Sequence, residues 1–174
     1  MKIDKVGILL PHLHNNQMGY EVTKQLNNLK NTHPYIDSIV FTEDERPQTL
    51  IPKFAIMNVC EAYDQTGLLI ATTPSTASKL IYCWGANHKV FYSYDCFWLR
   101  GNRNQYEGLL NLYLNKEFDV IVRSESHQTL LANNFNVRAK AIVEGFDILE
   151  FIRLYEQSSN DEDSVKEVKE CQTY

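Results

Sequence analysis

The sequence predicts an α/β fold: a single Rossmann-like three-layer αβα domain around a mostly parallel sheet of about six strands. Three observations predict it. Short aliphatic and β-branched runs, VGILL, IDSIVF, LLIATT and KVFYSY, recur along the 174-residue chain. Between them lie stretches whose apolar residues repeat at helical spacing. The segment 118–148, FDVIVRSESHQTLLANNFNVRAKAIVEGFDI, packs a strand, a capped helix and a second strand into a βαβ unit, and a parallel strand pair requires such a crossover.

Taken in order, VGILL (6–10) is a first, central strand closed by Pro11. The polar loop HLHNNQMG follows, and Val22, Leu26 and Leu29 then mark the buried face of a helix. IDSIVF (36–41) is the second strand. From Pro52, the residues Ile56, Val59, Cys60 and Tyr63 fall at i, i+3, i+4 and i+7 and read as a helix, with a short buried strand at FAIM as the competing reading. LLIATT leads into a helix over Pro74 to Trp84, with Ala77, Leu80, Ile81 and Trp84 on one face and Gly85 ending it. KVFYSY (89–94) delivers Asp95 to a loop, and Tyr106, Leu109, Leu110 and Tyr113 mark the next helix. In the βαβ unit, Ser124 and Ser126 offer N-cap hydroxyls and the asparagines at 133, 134 and 136 end the helix, because Asn tolerates left-handed backbone. Residues 1–157 thus form one domain. Residues 158–174, SSNDEDSVKEVKECQTY, lack apolar anchors and read as a polar flexible tail.

Composition excludes several function classes. A net charge of −5 disfavours duplex nucleic acid, whose phosphates call for clustered Lys and Arg, and Arg100, Arg103 and Arg123 read as scattered and solvated. No run approaches the roughly 18 apolar residues of a membrane span. The four cysteines, Cys60, Cys83, Cys96 and Cys171, show no Cys-x-x-Cys spacing and read as reduced, mostly buried thiols of a cytoplasmic protein. No P-loop occurs and no Gly-x-Gly-x-x-Gly follows the first strand, so nucleotide hydrolysis and dinucleotide oxidation have no motif behind them and no cofactor is expected. Metal ligation is not expected either. Asp161-Glu162-Asp163 matches a metal-binding Asp-x-Asp only inside the tail, and solvated or capping roles suit His88, Asp119 and His127.

In an open parallel sheet, ligands bind past the carboxyl ends of the strands. Four loops meet that rim: His12 to Gly19, Thr72 to Ser75, Tyr94 to Trp98, and Ser124 to Ser126. A strand running into Ser124-Glu125 at a helix start, with the next strand finishing in the Gly-x-Asp turn Gly145-Phe146-Asp147, resembles the end of the N-terminal domain of GT-B glycosyltransferases. Residues 3 to 150 fall within the resemblance, and the family's C-terminal donor-binding domain has no counterpart. Glu144 stands where the family more often has Asn, and Gly19 stands alone where it tends to have a Gly pair.

The resemblance implies an acceptor cleft on these loops. His12, His14 or Asp95 would act as base, since a histidine titrates near neutrality. Thr72, Thr73, Ser75, Ser124, Glu125 and Ser126 would hold donor phosphates at helix N-termini. Asn15, Asn16, Gly19, Tyr94 and Trp98 would contact the carbohydrate, the aromatics by stacking. Each residue type also has a plainer use: strand-end histidines in a polar loop, Ser and Thr as helix caps, aromatics as core. A partner chain or a second copy would complete the cleft, with a nucleotide-sugar and a carbohydrate acceptor as ligands. The alternative is a non-catalytic assembly subunit that keeps the fold and uses its tail for docking.

Overall fold

The computed structural model describes residues 2–14, 16–44, 50–100 and 103–157, with the backbone alone at 100, 103 and 104. Seven strands form one sheet: β1 (Lys5–His12), β2 (Asp37–Asp44), β3 (Ala55–Asn58), β4 (Gly67–Ala71), β5 (Ala86–Ser93), β6 (Asp119–Val122) and β7 (Ala141–Ile142). Their order is β3-β2-β1-β4-β5-β6-β7, and every pairing is parallel. The helices are α1 (Gln17–Thr32), α2 (Pro74–Leu80), α3 (Arg103–Tyr113), α4 (Glu125–Phe135) and α5 (148–157).

Alternation along the strands sends side chains to both faces. Val6, Ile8 and Leu10 of β1 join Val40, Ile70, Val90 and Tyr92 under α1 and α5, which contribute Val22, Leu26, Leu29, Phe151, Ile152 and Tyr155. Leu9, Phe41, Leu69, Ala71, Phe91 and Val122 line the opposite face against α2, α3 and α4, where Leu80, Leu112, Leu131 and Phe135 pack. The result is the expected three-layer arrangement, helix–sheet–helix. Gly7 makes it possible at the centre, because a Cβ there would lie 2.3 Å from Leu69 Cδ2 and 2.9 Å from Phe41 Cε2. Each fully buried Leu or Ile removes enough apolar surface from water to stabilise the fold by roughly 1.5–3 kcal/mol.

The sheet has one strand more than expected, and the extra strand lies where the periodicity suggested a helix. Residues 55–58 pair with the outer edge of β2 (Ile39↔Ala55 through Thr42↔Asn58), and only Val59–Ala62 turn helically, as one 3-10 turn capped by Asn58. Backbone pairing with β2 overrides the local period, so the competing strand reading at FAIM is the correct one. Cys60 is consequently exposed, whereas Cys83 is buried. The helix α2 also stops at Leu80, one turn early. Cys83 fills the core there and Trp84 is left 80% exposed.

The βαβ unit folds as read: Ser124 caps α4, and Asn136 ends it in the left-handed region at φ 53°. The Gly-x-Asp segment is a tight turn with Gly145 at φ 60° and Phe146 at φ 55°, which drives the Phe146 ring fully into the core against Tyr92 and Phe151. Asp147 then caps α5, its Oδ1 accepting the Leu149 N–H at 2.9 Å. The tail expected over 158–174, with its Asp-x-Asp and Cys171, lies outside the described residues, as does Asn15. Among the described residues no helix is long and apolar enough to cross a membrane.

Candidate functional site

Because all strands are parallel, the four loops singled out from the sequence leave the same edge of the sheet. Adjacent strands lie about 4.8 Å apart, so the ends of β1 and β5 are separated by about 10 Å and those of β1 and β6 by about 15 Å. The chain leaves β1 for α1 on one face and β4 for α2 on the other. The connections therefore diverge between β1 and β4, the place at which doubly wound sheets take ligands.

At the end of β1, Asn16 organises the loop. Its Oδ1 accepts the Gly19 N–H at 2.6 Å and caps α1. Its Nδ2 lies 2.9 Å from His12 Nδ1 and donates to the His14 carbonyl at 3.1 Å. The rings of His12 and His14 lie with centroids 4.2 Å apart, tilted by 34°, and His14 Nδ1 is buried without a hydrogen-bond partner among the described residues. Gly19 is buried, and a Cβ on it would sit 2.6 Å from the Leu13 carbonyl oxygen. The missing side chain lets α1 meet the loop closely.

At the end of β4 the hydroxyls are already committed. Thr72 Oγ1 donates to the Leu9 carbonyl at 3.2 Å, and Thr73 forms a reciprocal capping box with Thr76. Ser75 faces away, into a groove between α2 and α3. Thr73 is thus spent on the cap of α2 and Thr72 on a main-chain carbonyl.

The loop after β5 brings Tyr94 and Asp95 to the rim. Asp95 Oδ1 accepts the Cys96 N–H at 2.9 Å, and the Arg123 guanidinium lies over the Tyr94 ring at 5.0 Å. Trp98 departs from expectation. A 3-10 turn over Phe97–Arg100 swings it inward, 6% exposed, with edge contacts to Tyr113 and Phe135. A ring buried on both sides cannot stack on a sugar, so Tyr94 is the aromatic left at the rim.

His127 also departs from expectation: it is 3% exposed instead of solvated. Its ring packs against Trp98 at 5.6 Å, and among the described residues neither ring nitrogen nor the Trp98 indole N–H has a hydrogen-bond partner. Burial holds its pKa below the ordinary value, Arg123 lowers it further, and Asp95 opposes both. Burial also raises the thiol of Cys96, which Asp95 reinforces. Arg123 thus belongs to the rim, between Tyr94, Asp95 and His127, a role its isolated place in the sequence did not reveal. The signal was its position directly after β6, on the same rim as Asp95.

After β6, Ser124 Oγ caps α4 by accepting the His127 N–H at 3.3 Å. Beside it opens a cleft of about 630 Å³ lined by Ser124, Glu125, Ser126, Ile142, Glu144 and Glu150. Three carboxylates repel a phosphate and accept hydroxyl hydrogens well. Among the described residues no group of three or more His, Cys, Asp or Glu side chains could hold a metal ion. The rim therefore offers hydrogen-bonding and acid–base groups: the His12 and His14 imidazoles, the Asp95 and glutamate carboxylates, and Arg123 on Tyr94. No protein-family model, curated protein or solved structure matches this chain.

Proposed function

We propose that the chain binds a hydroxyl-rich, carbohydrate-type ligand along the carboxyl ends of β1, β4, β5 and β6. In this reading it serves as the acceptor-binding half of a GT-B-like glycosyltransferase cleft. The observation that carries the proposal is the shared rim, on which the His12–His14 loop and the Tyr94–Asp95 loop stand two strands apart. A carboxylate beside an aromatic ring and an arginine suits a sugar, whose hydroxyls need acceptors and whose apolar face needs a platform. The acidic cleft beside Ser124 supports a place for acceptor hydroxyls there and not for the donor's phosphates. The nucleotide-sugar would then be held by a partner chain or a second copy in the cytoplasm, with Asp95 or a histidine as base. The test is hydrolysis and transfer with UDP-, GDP- and ADP-sugars, alongside melting shifts with simple saccharides. Turnover abolished by Asp95→Asn supports the enzyme. No turnover, no saccharide-dependent shift and no partner retained in mild salt would remove the proposal.

A second reading, a non-catalytic assembly subunit, has its own observation. Between α2 and α3 lies a largely apolar groove of about 470 Å³, lined by Pro74, Phe97, Leu109 and Leu112, with Gly108 at its open side. Gly108→Trp would fill it. Loss of a complex in that variant, with saccharide binding intact, would favour this reading.

A further inference from the structure

We infer that Asn16 is a positioning residue that holds His12 in its Nε2–H tautomer, so that the ring nitrogen His12 can offer a ligand is a hydrogen-bond donor and not a base. The inference rests on the reading of this rim as the ligand site and narrows the chemistry of what faces His12.

The amide of Asn16 can be oriented in only one way. Its oxygen takes the Gly19 N–H at 2.6 Å, and its nitrogen faces two main-chain carbonyls, of His14 at 3.1 Å and of His12 at 3.5 Å. Turning the amide over would set its NH2 against an N–H and its oxygen against both carbonyls, three repulsive contacts in place of three bonds. The group 2.9 Å from His12 Nδ1 is therefore a donor. A neutral imidazole has one N–H and one bare nitrogen, and a proton on Nδ1 would point at the Asn16 hydrogens. Nδ1 must accept, which leaves the proton on Nε2.

No protein group among the described residues takes that Nε2–H. The adjacent ring of His14, tilted by 34°, limits how His12 can turn. A ligand atom meeting His12 Nε2 is consequently a hydrogen-bond acceptor, which in a carbohydrate is a ring, hydroxyl or carbonyl oxygen. Removal of an acceptor proton, if the rim transfers a sugar, falls to Asp95 or His14.

The tautomer can be read without any ligand. Long-range 1H–15N correlation spectra of the 15N-labelled full chain, with the His12 signals assigned by their loss in His12→Gln, should show Nε2 protonated and Nδ1 bare. Asn16→Asp replaces the donor by a carboxylate and should invert the pattern to Nδ1–H. Asn16→Ser keeps a helix cap but has no amide donor, and should give a mixture of the two forms. A wild-type His12 protonated on Nδ1 would overturn the inference, as would the same tautomer in all three chains. Should Asn16→Asp not fold, the serine variant carries the comparison. A negative result with every saccharide leaves these spectra unaffected, so failure of the carbohydrate reading and failure of the tautomer assignment are separable.

Discussion

Gly108 and Gly19 both lie in helices, α3 and α1, yet the space around them differs in a way that makes the same substitution act with opposite sign. A Cβ at Gly108 meets nothing within 4 Å, whereas a Cβ at Gly19 would lie 2.6 Å from the Leu13 carbonyl oxygen and 3.0 Å from its carbon. Glycine inside a helix costs about 0.5–1 kcal/mol relative to alanine, so Gly108→Ala should stabilise by about that amount. At Gly19 the same propensity gain is opposed by overpacking of about 1–3 kcal/mol, and the obstructing atoms are main chain that cannot rotate aside. The net expectation is a loss of about 1–2 kcal/mol. For a domain of this size each kcal/mol moves the melting temperature by about 2–4 °C. Urea and thermal unfolding of the two variants should therefore displace the wild-type midpoint in opposite directions, upward for Gly108→Ala and downward for Gly19→Ala. Shifts of the same sign, or a Gly19→Ala protein as stable as wild type, would refute the close approach of α1 to the β1 loop on which the candidate site depends.

Three further outcomes follow from particular contacts. The pKa of His127 is held low by burial, so its neutral form is the one the fold favours. Its contribution is whole above the unfolded value of about 6.5 and is lost as pH falls below it, and urea midpoints should drop between about pH 7.5 and about pH 5.5. His127→Gln should flatten that decline; an unchanged acid slope would show that His127 does not carry it. Thr73→Ala removes the half of the capping box at α2 in which its hydroxyl accepts the Thr76 N–H and leaves its own N–H on Thr76 Oγ1; it should cost about 1 kcal/mol in chemical denaturation. Asn136→Ala forces a Cβ-bearing residue of lower left-handed tolerance into φ 53° and should cost about 1 kcal/mol, while Asn136→Gly should be neutral or better.

The rim itself was legible in the sequence because strand ends announce themselves: an aliphatic run followed by polar residues and a cap gives the loop and its place relative to the sheet. The same signals marked Ser124 and Asn136 as the ends of α4, and both act as read. The helix α5, which the sequence reading did not include, carries the same kind of signal, with Ile148, Phe151, Ile152 and Tyr155 at i, i+3, i+4 and i+7 and Asp147 as cap. What a side chain does within a rim loop was less legible. Tyr94 and Trp98 are both aromatic and four residues apart, yet Tyr94 stays at the rim under Arg123 while Trp98 turns into the core.

Patterns local to the chain determined the α/β class, the buried faces of β1 and α1, and the caps, since periodicity and capping are read over a few neighbouring residues. Tertiary structure decided the rest: that residues 55–58 pair as a seventh strand instead of coiling, that His127 is buried against Trp98, and that Arg123 lies over Tyr94. The physical reason is common to all three. Each depends on a partner brought up by the fold, the open edge of β2 or a ring from a neighbouring loop, and short-range pattern carries no record of such partners.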